Sequence, residues 1–188
     1  MSQIASALDL PMPEVGEVER LAWDIVPVLE SWLEILPTVD WDYALTPTQS
    51  RNRSIRNLTV NTFHPFELLP VTWDSRVFDW NPELTDADME KPLDSRDKLV
   101  AYAQKCLVDW QSFLLDKAEL LAGDGPEIET PRGRVTFNVV VAGQRFHAAW
   151  HYRQIVDHLR IGGFPVADPV DVEAISADLT LPAYIYSA

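Results

Sequence analysis

Three of the four histidines in this 188-residue chain fall within twelve positions, HAAWHYRQIVDH at residues 147–158. An α-helix turns about 100° per residue, so His147, His151, Gln154 and His158 project within an arc of roughly 60°. His147 and His151 have the spacing at which imidazoles on successive turns can reach one divalent ion. The same stripe suits histidines that each find a hydrogen-bond acceptor between helices. Spacing leaves both readings open, because an isolated HxxxH is a weak motif. A zincin protease is excluded, since its first histidine is followed by a glutamate base where this chain has Ala148. The sequence also has no Walker loop, no GxSxG elbow and no cysteine pair for a zinc ribbon.

The fourth histidine lies in NLTVNTFHPFELL, where Asn57, Asn61 and His64 share one polar strip. That strip is a second candidate wall for a polar pocket. Pro65 disfavours α geometry at His64 and predicts a kink there. On the histidine-bearing helix, Val141, Ala148, Ile155 and Leu159 form an apolar flank, and Arg145, Arg153, Asp157 and Arg160 lie mostly opposite. The stripe is therefore expected near the protein interior. Cys106, the single cysteine, sits in an amphipathic pattern and reads as an inert core thiol.

These residues need four helices to position them. The first spans 16–36, with Pro27 as a kink, and the second is capped by Ser50 or Ser54 and ended by Pro70. Residues 70–96 read as a long connection with a short helix around 86–90. The third helix covers about 97–121 and stops at GDGP, and IETPRGRVT forms a small hairpin or an extended lead-in. The fourth runs from about 135 to 161 and ends at Gly162-Gly163. An irregular, proline-rich tail follows, with its LPAYIY end packed onto the body. The expectation is a single all-α domain over residues 1–188, a four-helix bundle, the class of fold that builds metal sites between its helices.

A hydrophobic content of 47% with 10% aromatics is that of a folded chain. No apolar run approaches the length of a membrane span and no signal-like segment opens the sequence, so a cytoplasmic protein without membrane association is expected. The formal net charge of −14 repels phosphate backbones, which argues against nucleic acid as a partner.

With RSIRNLTVNTFH leading to His64, a TPRGRVT lead-in, and HAAWHYRQIV after it, most of residues 16–160 resembles the DinB-like superfamily of four-helix bundles, the connection at 70–96 and the tail having no part in the motif. The resemblance implies one divalent metal ion, zinc or nickel, held by His64, His147 and His151. Asn61, Glu67, Gln154 and His158 would stand around it as pocket or supporting residues. It further implies a small-molecule substrate, allows a homodimer, and points to S-transferase or isomerase chemistry with a low-molecular-weight thiol as cosubstrate. No catalytic side chain is assigned. Two alternatives stay open: a metal-dependent hydrolase with Glu67 as base, and a non-catalytic bundle that binds a small ligand. Trp73, Phe78 and Trp80 of the long connection either wall the pocket or seal the end of the bundle.

Overall fold

A computed structural model describes residues 22–48, 53–80 and 88–166, with the side chain of Ala122 excepted. The described chain is mostly helical and carries one small two-stranded sheet. Residues 22–24 are helical, a turn follows at Ile25, and α1 then runs over Val26–Ile35. Pro27 sits in its first turn, where a missing N–H costs nothing. The expected kink is thus a break between two helical pieces. After a 3₁₀ turn at Leu36–Thr38 comes a single-turn helix α2, Trp41–Ala44, capped by the Asp40 side chain on the Tyr43 N–H at 3.1 Å.

The second long helix, α3, covers Ile55–Ser75. Ser54 caps it, accepting from the Asn57 N–H at 3.1 Å, whereas Ser50 lies outside the described residues. The expected end at Pro70 is corrected: the helix continues through both Pro65 and Pro70 and stops only at Arg76, which adopts the left-handed conformation with φ 63°. Each proline removes one rung of the helical ladder, a loss of about 3 kcal/mol in an isolated helix. Burial of Phe63, Phe66, Leu69 and Trp73 on the same helix opposes it. The connection is correspondingly shorter than expected, with residues 88–90 helical and 81–87 outside the described residues. Ser95 caps the third long helix, α4, at Arg96–Asp116, and a 3₁₀ turn at Leu120–Ala122 follows.

The hairpin pairs β1, Glu127–Thr130, antiparallel with β2, Gly133–Thr136. It leads directly into α5, Phe137–Ile161. Gly125, with φ 72°, is required at that junction, since a Cβ there would lie 2.8 Å from the Phe137 Cβ. The helix α3 packs against α4 and α5, and α1 packs against the same two. Trp32 ties the diagonal, donating from Nε1 to Thr59 Oγ1 at 3.0 Å and meeting Phe63 edge-on at 5.9 Å. Of the four residues expected opposite the apolar flank of α5, Arg153, Asp157 and Arg160 are exposed and one is not. Arg145, expected on a polar outer face, is 2% exposed and pairs with Asp24 at 3.4 Å. The tail from residue 167 onward, with the LPAYIY segment, lies outside the described residues.

At the end of α5 the chain makes its closest approach to α2. Tyr43 donates to the His158 carbonyl at 2.8 Å, stacks on the His158 ring at 4.8 Å and meets Phe164 at 4.6 Å. A Cβ on Gly162 would lie 2.6 Å from Tyr43 Cζ and closer still to the hydroxyl. Since three contacts fix that ring, it cannot move aside cheaply. Gly162→Ala is expected to destabilise the protein by about 1–3 kcal/mol, read from the urea midpoint.

Candidate functional site

The histidine stripe meets α3 along one polar seam. His147 Nε2 lies 3.0 Å from Asn61 Oδ1, and the His147 and His151 rings stand edge to face with centroids 4.4 Å apart. His151 Nδ1 lies 2.7 Å from Gln154 Oε1. The run Asn61–His147–His151–Gln154 is therefore continuous. Both amide oxygens are acceptors, so the imidazoles donate to them, from Nε2 of His147 and Nδ1 of His151. The second ring nitrogens are then Nδ1 of His147 and Nε2 of His151. His151 is 1% exposed and Asn61 equally buried.

Two contacts show that α3 and α5 run antiparallel: Asn61 meets His147, and Trp73 meets Phe137 at 5.0 Å. His64, one turn beyond Asn61, is then level with Gln144, one turn before His147. His64 is buried, and it follows Asn61 by about 60° of rotation, on the same side of α3. Pro65 takes a rung from the helix at the turn containing Asn61 and His64, but the helix passes through it.

A ligating imidazole characteristically donates its second nitrogen to a carbonyl or carboxylate, which is the arrangement of His151 on Gln154 and His147 on Asn61. On that test the pair fits half of a metal centre. Among the described residues no group of three His, Cys, Asp or Glu is arranged to hold a metal ion. His64 is tied to the pair by its place on α3 and not by a measured ligand geometry.

Two of the surrounding residues are directed elsewhere. Glu67 faces α4, accepting from the Tyr102 hydroxyl at 3.4 Å and lying 3.7 Å from Lys105 Nζ. His158 belongs to the Tyr43 stack, seven residues and about 10 Å of helix beyond His151. The aromatic residues of the connection divide between the two roles expected of them. Trp73 seals the end of the helices against Phe113 and Phe137. Trp80 lies edge-on to His147 at 5.0 Å, with Phe78 beside it at 6.3 Å. The backbone places it there: Phe78 N–H donates to the Glu129 carbonyl at 2.9 Å, and Glu129 N–H to the Arg76 carbonyl at 2.8 Å, so residues around Val77 extend the hairpin as a parallel edge.

Glu90 is a residue that periodicity did not disclose. It accepts from Arg56 Nη2 at 3.1 Å and from the Asn57 side-chain amide, one turn before Asn61. Its acidic neighbourhood, DADMEK, gave no signal to separate it from other surface acids. Cys106 is fully buried, and burial pushes its thiol up to about 12, the state of a core thiol and not of a nucleophile. No helix among the described residues is long and apolar enough to cross a membrane. Comparisons with protein-family models, with characterised proteins and with solved structures return no match for this chain.

Burial lowers the pKa of His158 below its ordinary value near 6.5, and neither ring nitrogen has a hydrogen-bond partner among the described residues. Between the folded and the unfolded pKa the unfolded chain binds a proton that the folded one does not. The stability associated with neutral His158 is therefore complete above the unfolded value and is lost as pH falls through it towards the folded value. Urea midpoints measured from about pH 7.5 down to about pH 5.5 should fall for the native protein, and fall less for His158→Phe.

Proposed function

We propose that this chain is a divalent-metal-binding helical bundle of the DinB-like kind, with His64, His147 and His151 as ligands and a low-molecular-weight thiol as cosubstrate. Zinc or nickel suits neutral imidazole donors. The observation that carries the reading is the part-buried run Asn61–His147–His151–Gln154, in which two amide oxygens hold two adjacent imidazoles. The mutual packing of α1, α3, α4 and α5 supports a bundle reading, in which a seam such as that between α3 and α5 is where ligands would be assembled.

When bound, a divalent ion there supplies the Lewis acidity that favours thiolate over thiol near neutral pH. The chain's own residues do the rest. Asn61 and Gln154 orient the imidazoles, and Trp80 covers one side of His147. The thiol releases its proton to solvent, and its sulfur lone pair forms a bond to a carbon of the electrophile. The electrophile then either expels a leaving group with the displaced electron pair or takes up a proton on the neighbouring atom. No protein nucleophile is needed, in keeping with a buried, unreactive Cys106.

Transfer is favoured over hydrolysis by the disposition of the carboxylates. The Glu67 carboxylate is engaged with Tyr102 and Lys105, and that of Glu90 with Arg56 and Asn57, which leaves neither as a base for activating water.

Metal content of the native protein after dialysis should be one equivalent. It should fall at least about tenfold in affinity for His147→Ala and His151→Ala, while His158→Ala retains the metal. Full occupancy in His151→Ala would overturn the ligand assignment. Metal-loaded protein should consume thiol in the presence of a small electrophile, and Cys106→Ala should retain that activity. Ester or amide hydrolysis without thiol consumption would establish the hydrolase in its place.

A further inference from the structure

The outer face of α4 carries apolar side chains that the core does not use. Val108 is 52% exposed and Leu115 70%, and Ala101 is exposed as well. Single exposed apolar residues are ordinary on a protein surface. These three are spaced by seven, which places them within about 40° of one another, on one line along the 21-residue helix. A line of that spacing is the narrow seam by which one helix packs along another. Asp97 in the first turn bounds it at the N-terminal end, and Gln111, which donates to Glu30 of α1 at 3.2 Å, bounds it on one flank.

The other flank is charged, and the order of its charges matters. Lys98, Lys105, Asp109 and Asp116 follow one another there, all exposed, at about 60–100° from Val108. Both lysines stand in the N-terminal half and both aspartates in the C-terminal half. On its own chain Lys98 meets Asp94 and Lys105 meets Asp109, each at 2.7 Å, and Glu67 lies 3.7 Å from Lys105. An ammonium group has three donors, so these contacts leave room for a further carboxylate. A two-fold axis level with Leu107 brings Lys98 opposite Asp116 of a second copy and Lys105 opposite its Asp109. The apolar line puts the axis level with Val108, where Val108 meets its own equivalent and Ala101 comes opposite Leu115. Two patterns made by different residues thus place the axis within about 1.5 Å along the helix. A closed dimer demands that reciprocity, because residue i meets j and j meets i. A parallel pair would set lysine beside lysine and aspartate beside aspartate. The net charge of −14 on each copy opposes association in general, and a face of matched lysines and aspartates offsets it locally.

We propose that the outer face of α4 is an interface with a second copy of this chain, in which two α4 helices pack antiparallel along Ala101, Val108 and Leu115, with Lys98 and Lys105 of each copy facing Asp116 and Asp109 of the other. This interface depends on neither the metal nor the thiol reading. A single helix pair about 30 Å long stands at the low end of specific interfaces, so the dimer is reversible at micromolar concentrations.

Sedimentation equilibrium of the full chain between about 1 and 500 µM should show a monomer–dimer equilibrium. Val108→Asp and Leu115→Asp should each raise the dissociation constant at least about tenfold and leave the urea midpoint unchanged, since both side chains are already exposed. Lys105→Glu and Asp109→Lys should each weaken the dimer about two- to fivefold, and the double variant, which exchanges the two charges, should restore it. On air oxidation Val108→Cys should form a disulfide-linked dimer at least about tenfold faster than Leu115→Cys, because the axis brings the two residues 108 together and holds the two residues 115 about 20 Å apart. A chain that stays monomeric throughout, or a dimer that Val108→Asp and Leu115→Asp leave intact, overturns the interface. Equally fast cross-linking of Leu115→Cys, or failure of the charge exchange to restore the dimer, overturns the antiparallel register.

Discussion

The seam between α3 and α5 is polar where a helical bundle ordinarily packs apolar side chains, and the hydrogen bond between Asn61 and His147 is what makes that arrangement tolerable. Two buried helices cannot be brought together over unsatisfied imidazoles and amides without losing more than the burial gains. Asn61 gives His147 an acceptor on one side and Gln154 gives one to His151 on the other. The aromatic core lies beside this seam and not across it: Trp32, Phe63 and Tyr152 pack between α1, α3 and α5, and Phe66, Trp110 and Phe113 between α3 and α4.

The hairpin gives the seam its cover. Its β1 strand accepts and donates backbone hydrogen bonds to the residues that leave α3, and the left-handed Arg76 turns the chain sharply enough to make that pairing. Trp80 is thereby delivered to His147 by backbone geometry, while Arg56 and Asn57 hold the far side of the same connection through Glu90. The described residues on both sides of 81–87 are thus fixed by the elements they adjoin.

Hydrophobic periodicity located the long helices because each buries a continuous face, and the spacing of Leu99, Ala103, Cys106, Trp110, Phe113 and Leu114 needs no tertiary information to be read. Its errors fell where packing overrides local preference. Pro70 ends a helix by propensity, yet Thr72 and Trp73 are buried beyond it, and their burial favours one more turn. Arg145 reads as a surface residue beside Arg153, Asp157 and Arg160, which are exposed, but it lies where α5 meets the chain leading into α1 and pairs there with Asp24. Glu67 and Glu90 are indistinguishable in sequence from solvated acids. Which carboxylate turns to Lys105 and Tyr102, and which to Arg56 and Asn57, depends on rotations between helices that no local pattern encodes.

By itself the sequence determined that His147, His151 and Gln154 share one helical face and that Asn61 and His64 share another, because the 3.6-residue turn fixes those relations within each helix. It could not determine that the two faces meet, since that depends on the antiparallel docking of α3 on α5, set by aromatic contacts as distant as Trp73 with Phe137. It could not set His158 apart from the other histidines either. All four members of the stripe are equivalent around the helix axis, and only the docking of α2 against the end of α5 gives His158 a tyrosine in place of a share in the seam.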